Sequence, residues 1–113
     1  MENHDKQDLY LVCPYVTAQK VVAGKWAVVV LHHLSGGTLR FGQLQRLMPG
    51  LTQATLTKQL RALESSGLVR RRVYPQVPPR VEYSLTPIGQ AFRPVLDSIA
   101  QWGEKYIAYM QQR

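Results

Sequence analysis

Apolar residues recur along this chain mainly at the three- and four-residue spacing of an α-helix. The clearest case is the segment 52–67, in which one predicted helix face collects Leu56, Leu60 and Leu63. Thr52 is a good N-cap, because its hydroxyl can accept a hydrogen bond from a free backbone N–H of the first turn. Gly67 occupies the position at which a left-handed residue ends a helix. The pattern predicts a capped amphipathic helix whose front carries Lys58 and Arg61.

Further helical segments are predicted on both sides of that helix. Pro14 can begin the first one, because proline in the first turn loses no hydrogen bond, and this helix should end near Ala23. The segments 25–34 and 41–48 carry inward-facing stripes, which consist of Trp26, Val30 and Leu34 in the first and of Phe41, Leu44 and Met48 in the second. From Thr86 the chain is expected to be helical to near its end, with a break at Pro94.

Other segments follow the two-residue alternation of strands. The segment 38–40 is short and β-prone, and the segments 68–74 and 81–85 read as half-buried strands. Between the last two lies PQVPP at 75–79, which cannot continue a strand ladder and is predicted to be a loop. The sequence therefore predicts two strands that are joined by a proline-stiffened tip.

The order of these elements predicts the fold. Helices 41–48 and 52–67, joined by a tight turn, have the form of a helix-turn-helix, and the two strands behind them would make a wing. We expect an α+β fold that is mostly helical, a winged helix-turn-helix with a two-stranded wing and terminal helices. One domain would cover 1–113, and its parts would be a loose arm at 1–11, the helix-turn-helix at 41–67, the wing at 68–85 and C-terminal helices at 86–112.

Charge adds a functional expectation to this fold. The net charge is +7, and between Lys20 and Arg80 there are ten bases and one acid, Glu64. Nucleic-acid phosphate is the expected partner of such a field, because its neutralisation releases counterions. A basic surface that serves only solubility is the alternative. A membrane surface is less favoured, because the cations are not collected on one amphipathic helix.

Several other classes of protein find no support in the residues. No nucleophile elbow or phosphate-cradling glycine loop is present, so we expect no enzyme and no cofactor. One cysteine excludes an intramolecular disulfide framework, and His4, His32 and His33 make no convincing metal set. No apolar run approaches the roughly 18 residues of a membrane span, and the N-terminus is unlike a signal peptide. We therefore expect a soluble cytoplasmic protein.

A series of short segments resembles a known family. These are Cys13-Pro14, Gly24-Lys25-Trp26, LRFGQL at 39–44, LTKQLRALE at 56–64 and PPRVEYSLT at 78–86. Together they are similar to the HxlR-type branch of the MarR-like bacterial transcription regulators, over roughly Cys13 to Trp102. The resemblance implies a homodimer that binds a palindromic operator in double-stranded DNA, with dimer contacts from the first and last helices. It also implies a sensor role for Cys13, because several members sense oxidants or electrophiles through a cysteine at this place.

The expected DNA contacts lie in three regions. The helix from Thr52 should enter the major groove with its N-terminal end, which makes its candidate residues Thr52, Gln53, Ala54, Thr57, Lys58 and Arg61. The wing offers Arg70, Arg71 and Arg72, with Arg80 at its tip for a minor-groove or phosphate contact. Lys25 and Arg40 are expected to touch the DNA backbone without reading sequence, although Lys25 could be merely exposed.

The expected dimer interface is an apolar stripe on the last helix together with one residue of the first helix. Its residues are Tyr15, Leu96, Ile99, Trp102, Tyr106 and Tyr109. A ligand pocket is the alternative use of that stripe. A dimer is favoured, because a chain of this size has nothing left to cover it.

Two further questions stay open at the level of sequence. Cys13 could be a reactive thiol, since a helix N-terminus favours the thiolate form, or it could be a small buried hydrophobe. The domain could instead bind RNA or a protein partner, or it could be a regulator that responds to an unknown small molecule and has no cysteine sensor.

Overall fold

The computed structural model describes residues 9–113, and it confirms the winged helix-turn-helix. It contains helices and three strands, and the strands form one antiparallel sheet. The elements are α1 (Pro14–Val21), α2 (Ala27–Leu34), β1 (Leu39–Arg40), α3 (Phe41–Leu47), α4 (Gln53–Ser65), β2 (Val69–Tyr74), β3 (Arg80–Leu85), α5 (Pro87–Gln90) and α6 (Arg93–Gln111).

The centre of the core lies between α2 and α4. The predicted stripe of α4 is fully buried, and so are Val30, Leu31 and Leu34 of α2. Trp26, which we predicted within the α2 stripe, is instead the N-cap of that helix and packs half-buried at the edge of the core. The reason is that α1 ends at Val21 and α2 begins only at Ala27, whose backbone N–H donates to the carbonyl oxygen of Gly24 at 3.0 Å in the intervening turn.

The predicted caps of α4 are confirmed. The Thr52 hydroxyl accepts from the backbone N–H of Thr55 at 3.1 Å. At the other end Gly67 has φ +88°, a conformation that glycine adopts without steric cost. The N–H of Leu68 then donates to the carbonyl oxygen of Leu63 at 3.0 Å, which closes a Schellman motif. Both ends of the helix are therefore fixed by local chemistry.

The helix-turn-helix consists of α3, a short turn and α4. Met48 and Leu51 are both buried, and the N–H of Leu51 donates to the carbonyl oxygen of Met48 at 3.0 Å across the turn. At the start of α3 the side-chain oxygen of Gln43 accepts from the backbone N–H of Arg40 at 2.8 Å. The buried Met48 and Leu51 anchor the turn from which α4 leaves α3, and the Gln43 bond fixes the start of α3.

The sheet has the order β1-β3-β2, so that β3 is the central strand. Its register pairs Val69 with Leu85 at one end of the wing and Tyr74 with Arg80 at the other. Tyr83 and Leu85 are buried against the core, and the intervening residues of β3 point to the opposite face. The predicted proline loop at 75–79 joins β2 to β3.

The C-terminal part begins as predicted at Thr86. Its hydroxyl caps α5 by accepting from the N–H of Gly89 at 3.1 Å, and it also donates to the carbonyl oxygen of Gly67 at 2.6 Å. The predicted break falls just ahead of Pro94, which lies in the first turn of α6. There its missing N–H costs no hydrogen bond. The helix α6 then packs against α2.

The predicted loose arm at 1–11 lies largely outside the described residues. Its last part is a turn in which the carbonyl oxygen of Leu9 accepts from the N–H groups of Val12 at 3.0 Å and Cys13 at 2.7 Å. The N–H of Leu11 donates to the Thr17 hydroxyl at 2.7 Å. From Leu9 onward the chain is therefore attached to α1.

Candidate nucleic-acid interface

The front of α4 is exposed and cationic. Lys58 and Arg61 point to solvent together with Gln53 and Ala54, while Thr57 is half-buried. Thr52 is exposed too. Its hydroxyl caps the helix and also donates to the Thr55 hydroxyl at 2.9 Å. The structure thus brings these predicted residues onto one surface and gives Thr52 a structural role.

The back of α4 holds a polar residue that we did not single out from the sequence. Gln59 is only 9% exposed, and its side-chain oxygen accepts from the backbone N–H of Trp26 at 3.3 Å. Gly24 lies against the same amide, so closely that a Cβ at Gly24 would overlap it. A sequence signal did exist, because residues 56, 59, 60 and 63 form one helical stripe and Gln59 is its single polar member.

Lys25 lies beside α4. Its ammonium group is 5.2 Å from the centre of the Trp26 ring, within cation–π distance. An open cavity of about 400 Å³ is lined by residues of the α1–α2 turn and of α4, namely Gly24, Lys25, Trp26, Thr55, Lys58, Gln59 and Ala62. The structure therefore brings Lys25 and Lys58, which are distant in sequence, to one depression.

The solvent side of the sheet carries most of the predicted wing residues. Arg70 and Arg72 lie there with Tyr74, opposite Ser84, Glu82 and Arg80 of β3. The guanidinium carbons of Arg72 and Arg80 are 4.9 and 4.2 Å from the centre of the Tyr74 ring. Arg71 is exposed but belongs to the other face, where its register partner is the buried Tyr83.

Arg80, the expected minor-groove or phosphate contact at the wing tip, makes contacts within the chain. It is the first residue of β3, and its Nε lies 3.4 Å from the Glu82 carboxylate in an ion pair whose side chains are 30% and 22% exposed. By contrast Arg40, the residue before α3, is exposed, as are Arg70 and Arg72. Arg80 thus combines a contact with the Tyr74 ring and an ion pair, whereas Arg72 is exposed and contacts only the ring.

The predicted interface residues of α6 are exposed with one exception. Trp102 is 66% exposed and stacks on Tyr106 with ring centroids 5.3 Å apart, and Ile99 and Tyr109 extend the same surface. Tyr15 of α1 is 85% exposed. Leu96 is only 8% exposed and belongs to the core of this chain, because α6 packs against α2 at that level. Its assignment to a dimer interface is therefore corrected.

Cys13 is the N-cap of α1 and is half-buried. Its side chain makes no capping hydrogen bond, while its backbone carbonyl accepts from the N–H of Thr17 at 2.9 Å. The residue thus lies between an exposed thiol and the small buried hydrophobe of the alternative interpretation.

The histidines of α2 form a pair of rings. The centroids of His32 and His33 are 5.2 Å apart. Burial, and secondarily the charge of His32, lower the pKa of His33 below its usual value of 6.5. Among residues 9–113 no three His, Cys, Asp or Glu side chains are grouped as metal ligands, and His4 lies outside that range. Within the same residues no helix is long and apolar enough to cross a membrane.

Comparisons with known proteins agree with this geometry. The family model described as HxlR-like helix-turn-helix matches residues 21–111. The HTH-type transcriptional regulator YdeP of Bacillus subtilis (strain 168) is 48% identical over 94 residues, which are 83% of this chain and 73% of that protein. An HTH-type transcriptional regulator of Methanothermobacter thermautotrophicus is 45% identical over 107 residues, which are 95% of this chain and 82% of that protein.

A solved structure shows the same likeness in three dimensions. The redox regulator HypR in its reduced form superposes with a TM-score of 0.83 at 40% identity, over 88% of this chain and 99% of that one. The chain belongs to the HxlR-like helix-turn-helix family of transcriptional regulators.

Proposed function

We propose that this regulator is a homodimer that binds a palindromic operator in double-stranded DNA, with α4 in the major groove. The observation that carries the proposal is the cationic front of α4, on a helix whose back is locked by buried leucines and by the Gln59 hydrogen bond. A helix that is held this firmly can present side chains to base edges at fixed positions. The family to which the chain belongs supports the same function.

The side chains divide by position into groups with different tasks. Near the N-terminal end of α4, Gln53, Ala54 and Thr57 would lie closest to base edges, as recognition helices dock. Lys58 and Arg61 can reach bases or phosphates. Lys25 and Arg40 lie on neighbouring elements and would contact the DNA backbone, and so would the exposed arginines of the wing, Arg70, Arg71 and Arg72.

The dimer would form through the exposed apolar face of α6 together with Tyr15. That face contains Ile99, Trp102, Tyr106 and Tyr109. Monomers rarely expose a contiguous aromatic surface, so a second copy is the occupant that we propose. Two recognition helices would then meet successive major grooves about 34–36 Å apart on a two-fold symmetric site.

As a regulator of transcription the protein would act in the cytoplasm, where the chromosome lies.

The test of DNA binding is a selection from a random duplex library, followed by salt-titrated affinity for the selected duplex and for RNA of the same sequence. We expect a selected site with two-fold symmetry and a log K that falls linearly with log salt. Equal or tighter binding to the RNA would favour an RNA-binding module instead. Absence of any salt-dependent binding would favour a protein partner and would overturn the proposal.

Redox control through Cys13 is a second proposal about this regulator. Its support is the position of the half-buried Cys13 at the N-terminus of α1 and the likeness to a redox regulator. The chain has one cysteine, so oxidation would join two subunits or attach a small thiol. In either disulfide, two thiols lose two electrons and two protons to the oxidant, and diamide is reduced to the hydrazine as it accepts them.

Diamide should alter the operator affinity of the wild type and leave the Cys13→Ser variant unchanged. Non-reducing gels and intact mass would distinguish an intersubunit bond from a mixed disulfide. Oxidation of Cys13 without any change in operator affinity would rule out this sensor. A regulator that responds to a small molecule without a cysteine sensor would then be the remaining form of the proposal.

A further inference from the structure

The charged side chains on the outer face of the wing sheet are all basic except one. Strand alternation and register place on it the side chains of Arg40, Arg70, Arg72, Tyr74, Arg80, Glu82 and Ser84, and we call this set the outer face. Its only carboxylate is that of Glu82. A single acid at the centre of such a surface needs a physical account, because it opposes the phosphate binding for which the surface is suited.

Glu82 is placed to act on several of these arginines. On the central strand, its register partners are Arg40 of β1 and Arg72 of β2. Directly opposed residues have Cβ atoms about 4.5–5.5 Å apart, so all three side chains share one small area. The ion pair itself is made with Arg80, whose Nε is 3.4 Å from the Glu82 carboxylate.

Arg80 is held from two directions at once. Its guanidinium carbon is 4.2 Å from the centre of the Tyr74 ring, and Glu82 lies at its edge. Its Nε is buried and makes no hydrogen bond within residues 9–113, so the ion pair is the polar interaction that this atom has there. If Arg80 swung out to a phosphate, it would lose the ring and the ion pair, and Glu82 would be left facing the DNA.

We propose that Glu82 is an internal counter-ion that withholds Arg80 from DNA and thereby lowers binding to non-specific sequences. Non-specific affinity comes from phosphate neutralisation, so one withheld cation reduces it. Base contacts by α4 are untouched, and the ratio of specific to non-specific affinity rises. Arg72 remains the exposed cation above the same ring. This inference rests on the proposed DNA binding and revises the expected role of Arg80.

The test is the salt dependence of binding to a random-sequence duplex, because each phosphate contact adds about 0.9 to the slope of log K against log salt. Arg72→Gln should lower that slope by about 0.9, whereas Arg80→Gln should leave it unchanged. Glu82→Gln should steepen it by about the same amount and raise non-specific affinity. Adding Arg80→Gln to Glu82→Gln should return the slope to the wild-type value.

Two matched controls separate release of Arg80 from a change in net charge. Glu104→Gln alters the charge equally, but on exposed α6, and should leave the slope as it is. Tyr74→Leu keeps the charge but removes the ring, so it should steepen the slope, while Tyr74→Phe should not. Thermal melting of each variant reports whether it folds, and the Tyr74 pair keeps the test decisive if Glu82→Gln is unstable.

The inference is overturned alone if the wild type binds duplex DNA and Arg80→Gln lowers the slope by about 0.9, because Arg80 then contacts phosphate itself. It is equally overturned if Glu82→Gln and Glu104→Gln bind alike. A wild type that shows no salt-dependent duplex binding would instead overturn the proposed function, and this inference with it.

Discussion

The helices α4 and α6 are both amphipathic, but the chain covers the whole apolar face of α4 and only a small part of that of α6. In α4 the apolar stripe is fully buried, and the outward face carries Lys58 and Arg61. In α6 the chain buries Leu96 and leaves Trp102 and Tyr106 largely in solvent. Helical periodicity determines which residues share a face, and the rest of the fold determines whether that face is covered.

The two exposed faces therefore have different requirements. Cations on α4 are hydrated and need no partner for the folded chain to be stable. A contiguous aromatic face is a place where a partner binds. The comparison predicts that changes on α4 alter DNA affinity alone, while changes on α6 first alter assembly and alter DNA affinity as a consequence.

The largest effect is expected from Trp102→Ala. Truncation of a central aromatic residue commonly costs an interface about 2–4 kcal/mol, so the dimer should dissociate about 30- to 1,000-fold more readily. Operator affinity should fall with it, while the fold survives. Sedimentation equilibrium and circular dichroism measure the two separately. Lys105→Ala on the same helix is the control, and a wild type that is monomeric at micromolar concentration would contradict the comparison.

A smaller loss is expected from Lys58→Ala. If the side chain contacts a base, the variant should lose about 1–3 kcal/mol of operator binding and discriminate less at one base pair. Its melting temperature and its dimer state should remain those of the wild type, since the residue is exposed. The same change at Arg61 provides a second measurement. Unchanged operator binding by the double variant would remove α4 from the groove.

The joint between Gln59 and Gly24 tests what holds α4 in place. Gly24→Ala would push the new methyl group into the Gln59 amide, and overpacking of this kind costs about 1–3 kcal/mol of unfolding free energy. The double variant with Gln59→Ala should lose less unfolding free energy than the two single variants lose together, because the clash is gone. Urea denaturation measures all three proteins. Gly42→Ala, where the nearest atom is 4.0 Å away, is the control and should not destabilise the protein.

The smallest expected effect is a pH dependence of the folding stability, caused by His33 on α2. Its pKa is lowered in the folded protein, so the unfolded chain takes up a proton more readily. This contribution to stability is complete above about pH 6.5 and is lost as the pH falls through the lowered folded value. Denaturation midpoints at pH 7.5 and 5.0 should differ less in His33→Gln than in the wild type. An equal difference in both would exclude His33 as the cause.

Much of the fold could be predicted from the sequence, because local chemistry specifies it. The caps at Thr52 and Gly67, the proline at the start of α1 and the strand alternation around Tyr83 each depend on neighbouring residues, and all are found in the structure. The end of α1 and the start of α2 each differ from the prediction by two residues. The turn between them is stabilised by Gln59, which is distant in sequence.

The site could be predicted in its residue types and less well in their roles. Exposed cations on α4 follow from periodicity, but the contact of Arg80 with the Tyr74 ring depends on the register that pairs these two residues across the wing. Likewise Leu96 belongs to the same helical stripe as Trp102, and only the packing of α6 on α2 separates a core residue from an exposed one. Long-range contacts of this kind leave no periodic signal.

The two tryptophans give the protein two built-in fluorescent labels, one behind α4 and one on the exposed face of α6. Trp26 contacts Gln59 through its backbone N–H at the back of α4, and Trp102 stands on α6. Indole emission shifts to shorter wavelength when water is excluded, so subunit association should blue-shift Trp102, whereas a ligand near Lys25 would act on Trp26. Replacing either indole by phenylalanine isolates the emission of the other. Subunit association and binding near Lys25 can therefore be followed by intrinsic fluorescence, without an attached dye.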